Sequence, residues 1–132
     1  MRVVFDTNIY ISAFITPGGR GEAAYLKAVN GELELFTSVP ILTELAGKLR
    51  GKFHWEDEQI KAAVRHVAAV AAVVKPVEQL AVLFDDPDNR ILECAREAGA
   101  EMIVTGDRHL LALGRYERID IVSLAAFLDG ST

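Results

Sequence analysis

The chain has 132 residues, 51% apolar and 25% charged, which fits one globular domain, 1–132, and excludes a disordered chain. Its net charge of −5 argues against a nucleic-acid coat protein, but leaves room for acids gathered in one cation-neutralised pocket. Cys94, the single cysteine, excludes a cysteine-rich zinc site and suits a reducing, cytoplasmic compartment.

Taken in order, Arg2-Val3-Val4-Phe5 reads as a short buried strand that runs directly into Asp6. No basic stretch precedes an apolar one here, so no secretory leader is expected. Ile9 to Ile15 continues as a short helix, and Thr16 to Gly21 reads as a loop. Glu22 to Val29 is helical and ends at Asn30-Gly31; Leu33 to Thr37 alternates like a strand. Ser38 and Pro40 open a helix to Arg50, closed by Gly51. Glu56 to Val74 is the longest periodic segment, with room for a brief strand around Val73. Its apolar run, Val67 to Val74, is far short of the roughly 20 residues a membrane span needs, so no membrane association is expected. Val77 to Phe84 has no clear pattern. Asp85 to Asn89 is an acidic turn opening a helix to about Ala98, and Met102 to Thr105 is another strand, ending at Gly106-Asp107. A helix around Leu110 to Leu113, a strand from Ile119 to Val122 and a helix from Ser123 to Leu128 complete the chain. Strands alternating with helices predict a three-layer α/β/α fold around a mainly parallel sheet of four to five strands.

Asp6 and Asp107 each stand at the carboxyl end of an apolar strand and ahead of a helix. Each is either a helix N-cap or a wall of a site, because parallel sheets bind ligands at their strand ends. Asp88 also sits at a helix start, and Glu44 would be an ordinary solvated residue in isolation. Carboxylates suit Mg2+ or Mn2+, hard cations that favour oxygen ligands. No Gly-rich phosphate loop, HExxH helix or serine nucleophile elbow is present in the sequence.

Four stretches together give the whole chain a resemblance to the PIN-domain ribonucleases, particularly the toxins of bacterial and archaeal toxin–antitoxin systems. They are Val3-Val4-Phe5-Asp6-Thr7-Asn8, Thr43-Glu44-Leu45, the run from Asp85 to Ala95, and Ile103-Val104-Thr105-Gly106-Asp107. The resemblance implies that Asp6, Glu44, Asp88 and Asp107 form a catalytic, metal-binding quartet supported by Asn8 and Thr105. Asp86 is an alternative or water-mediated ligand, and Asp85 a turn residue. The resemblance also implies one or two Mg2+ or Mn2+ ions, RNA as substrate, products with 5′-phosphate and 3′-hydroxyl ends, a separately encoded antitoxin and a homodimer.

Arg90 and Arg108, beside two of the acids, are the favoured phosphate contacts; Arg20 and the Lys48-Arg50-Lys52-His54 cluster are weaker ones. Phe53 is expected to plug the core, while Trp55 is open between core, dimer surface and base stacking. A housekeeping RNA-processing nuclease and a non-catalytic RNA-binding scaffold are the competing functions. A haloacid-dehalogenase-type phosphohydrolase is disfavoured, since Asn8 stands where it would want an acid.

Overall fold

A computed structural model describes residues 1–130. The elements in order are β1 (Arg2–Phe5), α1 (Thr7–Ile15), α2 (Arg20–Val29), β2 (Glu34–Ser38), α3 (Val39–Gly51), α4 (Asp57–Val70) and β3 (Ala72–Val74). They continue as α5 (Asp86–Ala98), β4 (Met102–Val104), α6 (Arg108–Leu113), β5 (Arg115–Tyr116), β6 (Ile119–Val122) and α7 (Leu124–Asp129).

The sheet order is β3-β2-β1-β4-β6-β5, parallel except for the β5–β6 pair. Among the described residues the expected four to five strands are therefore six. The extra one, β5, is a two-residue ribbon after Gly114 and is too short to show a strand period. Val3, Val4 and Phe5 have no exposed surface, because β1 is central and covered on both faces. From β1 the chain winds outward through β2 and β3, then returns to β4 on the opposite side of β1. The split between β1 and β4 is the topological switch point, where a ligand crevice opens at the strand ends.

Two helices are rotated by their buried rows so that polar residues face this crevice. In α3 the buried row is Ile41, Leu45 and Leu49, at four-residue spacing, so the adjacent row, Glu44 and Lys48, lies beside the sheet's carboxyl edge. In α5, Leu92 and Ala95 are fully buried and carry Asp88, on the same face one turn earlier, into the crevice. Gly99 ends α5 in a left-handed conformation (φ 62°) that an L side chain rarely adopts.

A second row of α5, Asn89, Glu93 and Glu97, grips the segment between β3 and α5 by its backbone. Glu97 accepts from Val77 N at 3.2 Å, Glu93 from Leu80 N at 2.7 Å, and Asn89 from Val82 N and Leu83 N at 3.1 and 2.9 Å. Asn89 also donates to Leu83 O at 2.9 Å. The segment is ordered by these bonds rather than by a strand or helix of its own, which is why its sequence carries no period. The long periodic stretch resolves into α4, ending at Val70, and β3. The β conformation of Ala71 ends the helix and starts the strand. Among the described residues no helix is long and apolar enough to cross a membrane.

Candidate functional site

The crevice holds a cavity of about 260 Å³ lined by Asp6, Asn8, Glu44, Lys48, Asp85, Pro87, Asp88 and Asp107. All four expected acids therefore meet, although they come from the ends of β1 and β4 and from two helices. Asp6 is delivered by register: Phe5 pairs with Val104, and Asp6 N donates to Val104 O at 2.9 Å. Asp6 occupies the N-cap position of α1, yet its side chain makes no cap bond. Its Oδ2 instead accepts from the buried Thr105 hydroxyl at 2.6 Å. Thr105 Oγ1 in turn accepts from Asp107 N at 2.9 Å, so one hydroxyl ties the two strand-end acids together.

Asp107 answers the choice between cap and site differently. Its Oδ2 accepts from His109 N and Leu110 N, both at 2.9 Å, and so caps α6. Its other oxygen takes no part in the cap. Asp88 is 7% exposed, and among the described residues its Oδ2 has no hydrogen-bond partner. Burial, with Asp107, Asp6 and Asp85 close by, pushes its carboxyl up to about 7. Burial also holds Asp6 above the usual carboxylate range, against the lowering hydrogen bond from Thr105, while Glu44 adds repulsion. Acids crowded to this degree repel one another, and a cation placed among them would relieve that repulsion. Their oxygen-rich donor set and the orphaned Asp88 oxygen fit a hard divalent ion.

Besides the four acids, Lys48, read from the sequence as a weaker phosphate contact, Asp85, read as a turn residue, and His109, next to Arg108, come to the site. Lys48 Nζ lies 3.4 Å from Glu44 Oε1 and 3.2 Å from Asn8 Oδ1, inside the acidic cavity rather than in a surface basic cluster. Its four-residue spacing from Glu44 was the available signal. Asp85, Asp88 and His109 each offer a ligand atom within 4.8 Å of the others, a grouping able to hold a metal ion. Asp85, not Asp86, thus lines the cavity. Asp85 is the extended residue before α5, whereas Asp86 has entered the helix and turned away toward Asn89 Nδ2, 3.5 Å off.

The expected basic contacts divide. Arg108 is exposed at the start of α6, next to Asp107. Arg90 is half-buried and committed elsewhere: Nη2 donates to Glu93 Oε2 at 2.6 Å and to Leu80 O at 3.2 Å. Phe53 is half-buried against the core as expected. Trp55 does likewise, edge-on to Phe14 at 6.5 Å between ring centroids.

A family model described as PIN domain matches residues 2–109. The chain is 30% identical to the uncharacterized protein MJ1680 of Methanocaldococcus jannaschii, over 94% of this chain and 84% of that protein. A chain in the crystal structure of VapBC2 from Rickettsia felis, bound to a DNA fragment from their promoter, is similar in fold, with a TM-score of 0.63 and 17% identity. That match covers 93% of this chain and 98% of the other.

Proposed function

The chain belongs to the PIN domain family, and from that premise we propose that it is a divalent-metal-dependent endoribonuclease, the toxin of a toxin–antitoxin pair. The observation that carries the nuclease reading is the meeting of Asp6, Glu44, Asp88 and Asp107 around one cavity, with a buried Asp88 oxygen left unpaired. The fold it shares with a chain of the VapBC2 complex supports a separately encoded protein inhibitor. Assembly as a homodimer and a cytoplasmic location complete the proposal.

Asp6, Asp88 and Asp107 are the residues that would hold Mg2+ or Mn2+, with Asp85 and His109 beside Asp88 as further ligands. A bound divalent ion supplies polarisation of the scissile phosphate and a more acidic water. Thr105 fixes the Asp6 carboxylate by donating a hydrogen bond to Oδ2. Glu44, on the cavity wall, would accept a proton from the attacking water and orient it. Lys48, beside Glu44, offsets the site's negative charge and contacts a non-bridging phosphate oxygen. Arg108, exposed next to Asp107 at the start of α6, would receive the strand.

The test is cleavage of a mixed single-stranded and structured RNA pool with Mg2+, Mn2+ or EDTA. Cutting that requires metal, and leaves 5′-phosphate ends, is the expected result; growth arrest on expression, relieved by a neighbouring gene product, would separate a toxin from a housekeeping nuclease. A silent protein that binds no Mn2+ would leave a scaffold. Lys48→Met should lower kcat/KM about tenfold, the worth of one charged hydrogen bond, with little change in melting temperature. An unchanged kcat/KM would remove Lys48 from substrate contact.

A further inference from the structure

Next to the acidic cavity lies a second hollow of about 460 Å³, sharing Glu44 and Pro87 with it and otherwise lined by Val39, Pro40, Thr43, Asp86 and Arg90. We propose that this shelf binds a nucleobase adjoining the scissile phosphate; the assignment rests on the ribonuclease reading above. Its floor is apolar and presented to solvent: Val39 is 63% exposed, and Pro40 and Pro87 are exposed as well. Each proline stands in the first turn of a helix, α3 or α5, where its ring fixes φ. The platform is therefore stiff before anything binds, and seating a flat ring on it orders almost nothing on the protein side.

Charge selects a base over a second phosphate. Glu44 and Asp86 stand on the shelf's walls, and the Arg90 guanidinium is already held by Glu93. A phosphate would meet two carboxylates, and Arg90, the one cation lining the shelf among the described residues, has its charge already offset by Glu93, whereas a base presents a neutral face that packs on apolar side chains. The shelf's own apolar lining, Val39, Pro40 and Pro87, matches one flat ring and is far smaller than the roughly 800 Å² per partner that a stable protein interface needs. In a single RNA strand every phosphate is flanked by bases, so a strand whose phosphate enters the acidic cavity brings one of them to the shelf.

The experiment uses short single-stranded RNAs cut at one bond, intact or with an abasic nucleotide on either side of it. For the wild type, removing the base on one side should lower kcat/KM about tenfold, within the usual range for one stacked base, and on the other side hardly at all. Val39→Ser should cut intact RNA several-fold more slowly and show no added penalty for the missing base, a coupling read by the double-mutant cycle. Pro40→Ala provides the same reading should Val39→Ser not fold. Equal cutting of intact and abasic RNA by the wild type would overturn the shelf, as would a penalty undiminished in both variants. Loss of dimer or inhibitor binding in Val39→Ser with unchanged cleavage would overturn it in favour of a protein contact. If the wild type cuts no intact RNA with any divalent ion, the nuclease reading fails and the shelf falls with it.

Discussion

Asp6→Asn and Asp107→Asn are each expected to cleave RNA about a thousandfold more slowly than the wild type while melting within about two degrees of it. Stabilisation of the developing charge by a held cation amounts to several kcal/mol, and each 1.4 kcal/mol is about tenfold in rate. The folding side of the prediction follows from the two carboxylates' bonds. An asparagine oxygen can still accept the Thr105 hydroxyl at position 6, and asparagine caps a helix about as well as aspartate at position 107. At position 6 the neutral group also relieves repulsion with Glu44. Single-turnover cleavage at saturating Mn2+, paired with thermal melts, checks both halves. Retention of activity within tenfold in either variant would remove that carboxylate from the reaction.

Asp88→Asn should separate stability from activity in the opposite sense. In the unfolded chain Asp88 loses its proton near pH 4, whereas in the folded chain burial and its acidic neighbours hold the proton up to about 7. The folded state therefore binds more protons across this window. The Asp88 contribution to stability is present below about pH 4, declines as pH rises, and is gone above about 7. Without metal, the wild type should be about 2 kcal/mol less stable at pH 8 than its Asp88→Asn variant, the full shift being discounted for the open mouth of the cavity. For a chain of this size that is about 6–8 °C in Tm. Mn2+ should raise the wild-type Tm at pH 8, much less at pH 5, and scarcely move the variant. Melts in EDTA and in Mn2+ at the two pH values measure all of this. A variant no more stable than wild type in EDTA at pH 8 would mean that Asp88 is not strained by its surroundings.

How much of this was legible in the sequence depends on what each residue answers to. β1 and β4 are read from composition because both faces are buried, and each then delivers an acid. Asp6 and Asp107 offered the same choice on paper, cap or site. In the structure Asp107 both caps α6 through one oxygen and lines the cavity, while the Asp6 side chain makes no cap bond. Whether Asp85 or Asp86 faces the cavity turns on where the helix begins, a difference of one residue that rotates a side chain by about 100°. Lys48 was named only as one of a basic cluster, which along the chain spreads around a helix in space, and only its spacing from Glu44 tells that it joins the cavity face. Arg90 sits beside Asp88 in sequence, but it is taken by Glu93 one turn on, a partner invisible without knowing that both grip the 77–83 segment.

That grip is made to backbone atoms: Asn89, Glu93 and Glu97 hold amides and a carbonyl of Val77, Leu80, Val82 and Leu83, whatever side chains those residues carry. Val77, Val82 and Phe84 point largely to solvent, Phe84 fully so, at the approach to Asp85. The segment is therefore a replaceable panel on a fixed frame. Its outward residues can drift, or be randomised in a library, without unseating the acids behind them. A lineage that keeps the α5 row can change what the rim of the cavity touches by small steps, each foldable, so diversification of the rim need not pass through loss of the fold.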